Sequence, residues 1–134
     1  MRRISMIFAL AVFASAAWPA VGRAEVDEAT RQARWVELRN QIFGERPVED
    51  GAALLAIDAP MRAEDAAIVP IKITLGDGLS HRVSTVYLVI DDNPSPLAGR
   101  FTFGPAADPR EIATRVRIDD YTYLHAVVST TAWR

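Results

Sequence analysis

The fold expected of this 134-residue chain is decided by one stretch, Val83-Ser-Thr-Val-Tyr-Leu-Val-Ile-Asp-Asp-Asn-Pro-Ser-Pro96. Its first eight residues are rich in β-branched and aromatic side chains and run directly into Asp-Asn-Pro, which is typical of a strand that enters a tight turn. The side chains alternate between two largely apolar faces. One face carries Val86, Leu88 and Ile90, and the other carries Thr85, Tyr87 and Val89. Such a strand lies in the middle of a sheet and needs cover on both sides, from its own domain or from a partner.

Five further segments flank this strand and have the composition or the period-two alternation of strands. They are Ala53–Asp58, Val69–Leu75, Phe101–Phe103, Ile112–Ile118 and Tyr121–Val128. Pro70 cannot donate to a ladder, so the second strand either lies at a sheet edge or has Pro70 at its start. Six strands with frequent turn signals predict a mainly β fold, an immunoglobulin-like antiparallel β-sandwich. Such sandwiches have at least seven strands, and a seventh would begin at about Trp133, so we expect the sandwich to be incomplete at its C-terminus.

An amphipathic helix is predicted ahead of the sandwich, within residues 25–46. Trp35, Leu38 and Ile42 fall at helical spacing, and Gly44 and Pro47 supply the stop. The helix therefore has one apolar side. Two interpretations stay open: this side packs on the sandwich, or it docks on a separate subunit.

The first 24 residues have the pattern of a secretory signal peptide. Arg2 and Arg3 precede the apolar run Ile4–Trp18, and cleavage is expected after Ala24, with Ala20 as the alternative. The apolar run is shorter than the ~20 residues that span a bilayer. We therefore expect a periplasmic protein with no membrane span after cleavage. The expected organisation is a signal peptide (1–24), a helix and its exit (25–46) and a sandwich domain (47–134).

Charge and cysteine content exclude several functions. The fifteen basic residues, less the three arginines of residues 1–24, leave twelve against seventeen acidic residues. A net negative domain argues against a nucleic-acid partner, which would need a basic surface. The chain has no cysteine, so it can form no disulfide and offers no thiol.

No residue pattern points to catalysis, a cofactor or a metal. His81 and His125 lack the spacing of metal ligands, and the acidic run Asp91-Asp92-Asn93 is explained by side-chain hydrogen bonding in the turn before Pro94. The sequence contains neither a Gly-rich phosphate loop nor a nucleophile elbow. We therefore expect no enzyme activity and no cofactor.

One surface has the composition of a protein interface. The third and sixth strands of an immunoglobulin-like sandwich are neighbours in one sheet. Their outward-facing residues form an aromatic and β-branched set, here called the outer-face patch. It consists of Tyr87, Val89, Tyr121, Tyr123, His125 and Val127. The patch either meets a partner subunit or is covered by the N-terminal helix.

Several stretches together resemble the SoxY family of sulfur carriers. The helix end Trp35–Phe43, followed by Gly-Glu-Arg-Pro47, is similar to the family's N-terminal helix and its exit. Leu55–Pro60 and Ala63–Pro70 resemble the family's "aP…A-x-(x)-VP" segment. Val89–Ala98, followed by Phe101, matches its "D-x-NP-x-P" strand and turn. The resemblance is greatest to the SoxYZ-like carriers associated with quinoprotein dehydrogenases, and it covers residues 35–128.

The resemblance implies an immunoglobulin-like periplasmic domain that pairs with a SoxZ-like domain or subunit. In that family a flexible Gly-rich arm carries one cysteine, which holds sulfur intermediates while enzymes process them. This sequence has no such arm and no cysteine, so no functional residue can be transferred to it. The resemblance thus implies a truncated, non-catalytic carrier domain of sulfur oxidation or of a quinoprotein dehydrogenase system. The alternative is a secreted immunoglobulin-like module that binds other proteins.

Overall fold

The computed structural model describes residues 27–131. The predicted signal peptide and the last three residues lie outside this range. The elements, in chain order, are α1 (Glu28–Phe43), β1 (Leu55–Asp58), β2 (Val69–Leu75), α2 (Asp77–Ser80), β3 (Val83–Ile90), β4 (Leu97–Thr102), β5 (Glu111–Val116) and β6 (Leu124–Thr130).

The six strands form two antiparallel three-stranded sheets. The first sheet has the order β1-β2-β5 and the second has the order β4-β3-β6. This arrangement confirms the predicted fold class, a mainly β antiparallel sandwich. The third and sixth strands are neighbours, as expected, and β3 is the central strand of its sheet.

The main core lies between the two sheets. Along β2, buried and exposed residues alternate without interruption, because successive side chains point to opposite faces. Ile71 and Ile73 from β2 meet Val86 and Leu88 from β3, and all four are almost fully buried. Burial of each such side chain contributes about 1.5–3 kcal/mol, so these residues supply much of the free energy that holds the sheets together.

A second apolar cluster lies on the other side of β3. There, Val89 packs with Leu38 and Phe43 of α1. The central strand is therefore covered on both faces, by the first sheet and by the helix. This arrangement explains why β3 is apolar on both sides, since neither of its faces meets water.

One irregularity adjusts β3 to its neighbour β6. The register with β6 shifts between Val83 and Thr85, so Ser84 is an extra residue in the ladder. Its hydroxyl donates to the Ser129 carbonyl oxygen at 3.0 Å. As a result, Val83 and Val86 both reach the inter-sheet core, although they are three positions apart and would otherwise point to opposite faces.

The observed boundaries differ from the predicted ones in several places. β4 begins at Leu97 rather than Phe101, and β6 begins at Leu124 rather than Tyr121. The Tyr121 N–H bonds to the Asp120 carboxylate at 2.7 Å, which holds this segment in a bend instead of a ladder. The predicted glycine turn contains the short helix α2. Pro70 is the second residue of a central strand, so of the two alternatives for it, the edge position is wrong.

Candidate functional site

The helix α1 is positioned by caps at both ends. At its start, the Asp27 carboxylate accepts the Thr30 N–H at 2.8 Å, and this hydrogen bond lowers the pKa of Asp27. At its end, Gly44 has a φ of 64°, a conformation that glycine adopts without strain, and its N–H bonds to the Asn40 carbonyl at 3.0 Å. The helix therefore spans one defined length of about four turns.

The apolar side of α1 covers the outer face of β3 and β6. Leu38 and Phe43 are buried against Val89, and the Phe43 ring meets the Tyr87 ring edge-to-face at a centroid distance of 5.2 Å. Val127 of β6 packs against the same cluster. In this structure, then, the helix packs on its own sandwich, which is one of the two interpretations that the sequence left open.

A polar contact fastens the middle of the helix to the sheet. The Trp35 indole stacks on the His125 ring at a centroid distance of 3.7 Å and an interplanar angle of 9°. His125 Nε2 lies 3.1 Å from the Asp91 carboxylate, which is 3% exposed. His125 donates this hydrogen bond in the tautomer that carries its proton on Nε2. The three residues form what we call the Trp35–His125–Asp91 stack.

Sequence reasoning placed Asp91 in a turn and missed this contact. Asp91 follows six residues, Thr85–Ile90, most of which are buried, and that run was a signal that the carboxylate could be buried as well. The turn itself is fixed by its neighbours. The Asn93 side-chain amide donates to the Arg117 carbonyl at 2.7 Å and accepts the Asp119 N–H at 3.2 Å. These bonds join the end of β3 to the connection that follows β5.

The structure separates the six residues of the outer-face patch into two groups. Val89 is fully buried, and Tyr87, His125 and Val127 are half-buried beneath α1. By contrast, Tyr121 is 62% exposed and Tyr123 is 41% exposed. We call these two residues the exposed tyrosine pair. With the helix docked, this pair is the part of the patch that a partner can reach, and the partner interface stays a prediction.

Tyr123 is nevertheless tied to the helix. Its hydroxyl donates to the Glu28 carboxylate at 2.8 Å, and this hydrogen bond raises the pKa of Tyr123. The Arg31 guanidinium lies 4.8 Å from the centre of the Tyr123 ring, at the distance of a cation–π contact. Both contacts orient the phenol ring beside the first two turns of α1.

Two shallow depressions are present on the described surface. One, of about 200 Å³, adjoins Tyr121 and is lined by Arg31, Arg34, Asp91, Asp92 and Asp120. The other, of about 380 Å³, lies on the outer side of the first sheet, among residues of β1, β2 and β5. The first depression has both acidic and basic walls, and this mixture does not select a ligand of one charge.

Residues 27–131 contain neither a cluster of metal-ligating side chains nor a membrane-spanning helix. No group of three or more His, Cys, Asp or Glu residues in this range is arranged to hold a metal ion. None of the helices in the same range is long and apolar enough to cross a membrane.

Comparison with known proteins gives the chain a family. No curated protein sequence matches it. Its fold is similar to that in the structure of the sulfur carrier protein SoxY from Chlorobium limicola f thiosulfatophilum, with a TM-score of 0.59 and 24% sequence identity. The match covers 75% of this chain and 86% of that one, and at this identity it establishes the fold alone. The family model of the sulfur oxidation protein SoxY matches residues 39–132, which include all six strands. The chain therefore belongs to the SoxY family of sulfur oxidation proteins.

Proposed function

We propose that this chain is the non-catalytic body of a periplasmic SoxY-type carrier and that it pairs with a SoxZ-like domain or subunit. The carrier would serve sulfur oxidation or a quinoprotein dehydrogenase system. The observation that carries the proposal is the family match over residues 39–132, because it spans both sheets of the sandwich. The structural likeness to a sulfur carrier supports it at the level of the fold.

The absence of cysteine limits which part of a sulfur carrier this chain can supply. A persulfide or another adduct joined by an S–S bond needs a cysteine sulfur, which reacts as the thiolate. The sequence has no cysteine, and the hydroxyls of Ser129, Thr130 and Thr131 are far too weakly acidic to replace a thiolate. The proposal therefore assigns to this chain the body that docks on other proteins, and it assigns the sulfur-bearing thiol to residues other than these.

The exposed tyrosine pair is the contact we propose for the partner. Tyrosine is enriched at protein interfaces because its ring buries a large apolar area while its hydroxyl keeps a hydrogen bond. Tyr121 lies beside the depression with mixed charge, so an incoming chain could place both acidic and basic side chains next to it. The outer side of the first sheet lacks such exposed aromatic residues among those described.

Binding of a SoxZ-like protein to the purified chain tests the proposal. We expect a complex of about 1:1 stoichiometry with a Kd in the micromolar range or tighter, measured by calorimetry. Tyr121→Glu should weaken the complex at least about tenfold, because it places a charge where an aromatic ring would be buried. Leu54→Glu is the matched control, since Leu54 is 47% exposed and its carbonyl bonds to the Gly76 N–H, at the end of β2 opposite to the end that pairs with Val116.

Two results would contradict this proposal. One is that no SoxZ-like protein binds, and the other is that Tyr121→Glu and Leu54→Glu weaken binding equally. The first result would favour the alternative function, a module that binds an unrelated protein. The second would mean that a SoxZ-like protein binds, but at a surface other than the exposed tyrosine pair.

The carrier role needs a separate experiment with a thiol. A Gly-rich arm with one cysteine would be appended after Arg134, and intact-mass spectrometry would follow sulfur addition in the presence of a sulfur-oxidising extract. We expect an adduct on the cysteine arm and none on the same arm with serine. If the adduct forms equally well when the cysteine arm is fused to an unrelated β-sandwich, this domain does not contribute to sulfur transfer onto the arm.

A further inference from the structure

The loops that connect the strands gather at the two ends of the sandwich. Three of them, residues 59–68, 91–96 and 117–123, lie at one end, here called the loop end. The Ile118 N–H donates to the Ala66 carbonyl at 2.8 Å, and this bond joins the first of these loops to the third. The bonds of Asn93 described above join the second loop to the third. The loop end is therefore one continuous surface.

The exposed apolar side chains are concentrated at the loop end. Six large apolar side chains are exposed within residues 27–131, and five of them lie on these loops or border them. The five are Met61, Ile68, Leu97, Tyr121 and Tyr123. Met61 is 94% exposed, the highest value of the six. The sixth, Leu54, lies at the opposite end, beside the residues that follow β2. A group of exposed apolar side chains on one surface is typical of a protein-binding site.

The loop end also carries most of the net charge of the domain. Its three loops contain six acidic residues and two arginines, which is four of the five excess negative charges of residues 25–134. The two loops of the opposite end, 76–82 and 103–110, contain two acidic residues and two arginines. There the Arg110 guanidinium bonds to both carboxylates, those of Asp77 and Asp108. One end of the sandwich is therefore strongly negative, and the other has balanced charges.

The arginines close to the loop end are already engaged by groups of this chain. Arg34 pairs with Glu37 at 3.2 Å, and Arg117 pairs with Asp119 at 2.6 Å. The Arg31 guanidinium lies over a tyrosine ring, as described above. These positive charges therefore do little to neutralise the remaining carboxylates of the loops.

Two of those carboxylates are available to another protein. Glu64 and Asp92 are exposed, and neither forms an ion pair within residues 27–131. Glu64 lies on the same loop as Met61 and Ile68, and Asp92 lines the depression beside Tyr121. The loop end thus combines an apolar centre with negative charges, which is the composition expected of a surface that selects a basic partner.

We infer that the loop end receives a partner protein through a face that is both apolar and basic. The inference rests on the proposed function, because it gives the chemistry of the surface that a SoxZ-like partner brings to the exposed tyrosine pair. It also extends the contact beyond that pair, to Met61 and Ile68 on the loop 59–68. Lysine or arginine side chains of the partner pair with Glu64 and Asp92, and its apolar side chains cover Met61.

The charge of the loop end argues against other occupants. A second copy of this chain would bring its own acidic loop end, so like charges would oppose each other across the contact. Nucleic acid and anionic lipid surfaces would be repelled for the same reason. A basic protein face gains from the negative field twice, first in diffusional encounter and then in the bound complex.

Association kinetics with a purified SoxZ-like protein test the electrostatic part. We expect kon for the wild-type chain to fall at least about fivefold between about 50 and 500 mM salt, because salt screens exposed charges. The double variant Glu64→Lys/Asp92→Lys should lower kon at least about fivefold at low salt and have a smaller effect at high salt. The control is Glu45→Lys/Glu49→Lys, which makes the same charge change on exposed residues between α1 and β1 and should leave kon within about twofold.

Dissociation kinetics test the apolar part. Met61→Ser should raise koff at least about fivefold, because it removes an apolar side chain that the partner covers. Leu54→Ser is the matched control at the opposite end and should leave koff unchanged. Met61 is 94% exposed, so its substitution does not disturb the core, and equal melting temperatures of wild type and variants check that every chain is folded.

The outcomes separate this inference from the proposed function. If no SoxZ-like protein binds, the proposed function fails and the inference fails with it. If the protein binds but kon is insensitive to salt, or falls equally in the two charge variants, the partner stands and the inference alone is overturned. A koff that Met61→Ser leaves unchanged, while Tyr121→Glu weakens the complex, would restrict the contact to the exposed tyrosine pair and would also overturn the inference.

Discussion

Asp91 lies at the end of the central strand, where the chain leaves the sheet with a carboxylate still buried. A buried carboxylate is stable only when it is paired, because its removal from water costs several kcal/mol. Here the compensation comes from one imidazole, that of His125, and from the Trp35 ring that covers it. At the residue scale, then, the outer layer contains a buried polar contact beside its apolar cluster, whereas the inter-sheet core depends on aliphatic packing.

A double-mutant cycle on Asp91 and His125 tests the pairing. His125→Ala should lower the free energy of unfolding by about 3–5 kcal/mol, since it leaves the carboxylate buried and unpaired. The double variant Asp91→Asn/His125→Ala should be more stable than His125→Ala alone, with a coupling energy of about 0.5–3 kcal/mol, measured by urea denaturation. If the two single effects simply add, Asp91 and His125 do not stabilise each other.

Leucine substitutions compare a core position with a surface one. Leu88→Ala should cost about 2–5 kcal/mol of unfolding free energy, because Leu88 is fully buried between the sheets and its truncation leaves a cavity. Leu97→Ala removes the same atoms from an edge strand where the side chain is 39% exposed, and it should cost under about 1 kcal/mol. If chemical denaturation shows equal losses of unfolding free energy for the two variants, the inter-sheet core is not the main source of stability.

At the scale of elements, α1 is the least strongly held. It contacts the sandwich through one apolar cluster, the Trp35–His125–Asp91 stack, the contacts of Tyr123 with Glu28 and Arg31, and a hydrogen bond from Arg34 Nε to the Asp91 carbonyl. The strands, by contrast, are held by ladders along their length as well as by the core. Elements with fewer buried contacts open at lower free energy, so the helix should be the first part of the fold to open.

Truncation of the indole tests how α1 is held. Trp35→Ala should raise the exchange rates of the α1 amides at least about tenfold while the β3 amides keep theirs, because it removes the ring that covers His125. Gln32→Ala, on the exposed side of the same helix, is the control and should leave both sets of rates unchanged. Equal acceleration of helix and strand amides would mean that α1 and the sandwich open as one unit.

The N-cap of α1 gives a pH dependence with a definite sign. The folded-state pKa of Asp27 is lowered by its hydrogen bond to the Thr30 N–H, so the ionised cap stabilises the helix above the unfolded pKa of about 3.9. That contribution is lost as the pH falls through the lowered folded-state pKa. Asp27→Ala should therefore reduce the melting temperature at about pH 7 and have a smaller effect at about pH 2. If Asp27→Ala lowers the melting temperature by the same amount at both pH values, the charge of the Asp27 cap is not the cause of the loss.

At the scale of the whole molecule, the protein is a stack of three layers: helix, sheet and sheet. The strands themselves, the central position of β3 and its pairing with β6 could be predicted, because period-two alternation is a local property and β3 is apolar on both faces. The Asp91–His125 pair could not be predicted. The two residues are 34 positions apart, and nothing in the local sequence of either one specifies the other. The boundaries of β4 and β6 were also missed, because side-chain bonds such as that of Asp120 decide where the ladders start.

Removal of the helix layer tests the three-layer arrangement. A chain that starts at Pro47 would expose Tyr87, Val89 and Val127, a contiguous apolar surface that is normally covered. We expect this variant to bind a hydrophobic dye and to aggregate, and we expect a synthetic peptide of residues 27–46, added in trans, to reverse both effects. The same peptide with Leu38→Asp is the control. A shortened chain that stays soluble and binds no dye would show that the helix is not needed as cover.

The position of β3 as the middle layer also restricts how its sequence can vary. From Thr85 to Ile90 every side chain is buried except that of Tyr87, which is half-buried beneath α1, so none of these six positions is fully open to solvent. A saturation mutagenesis scan should therefore show that polar substitutions are poorly tolerated at all six of these positions. On β2, where Lys72 and Thr74 point to water, tolerance should alternate from one residue to the next.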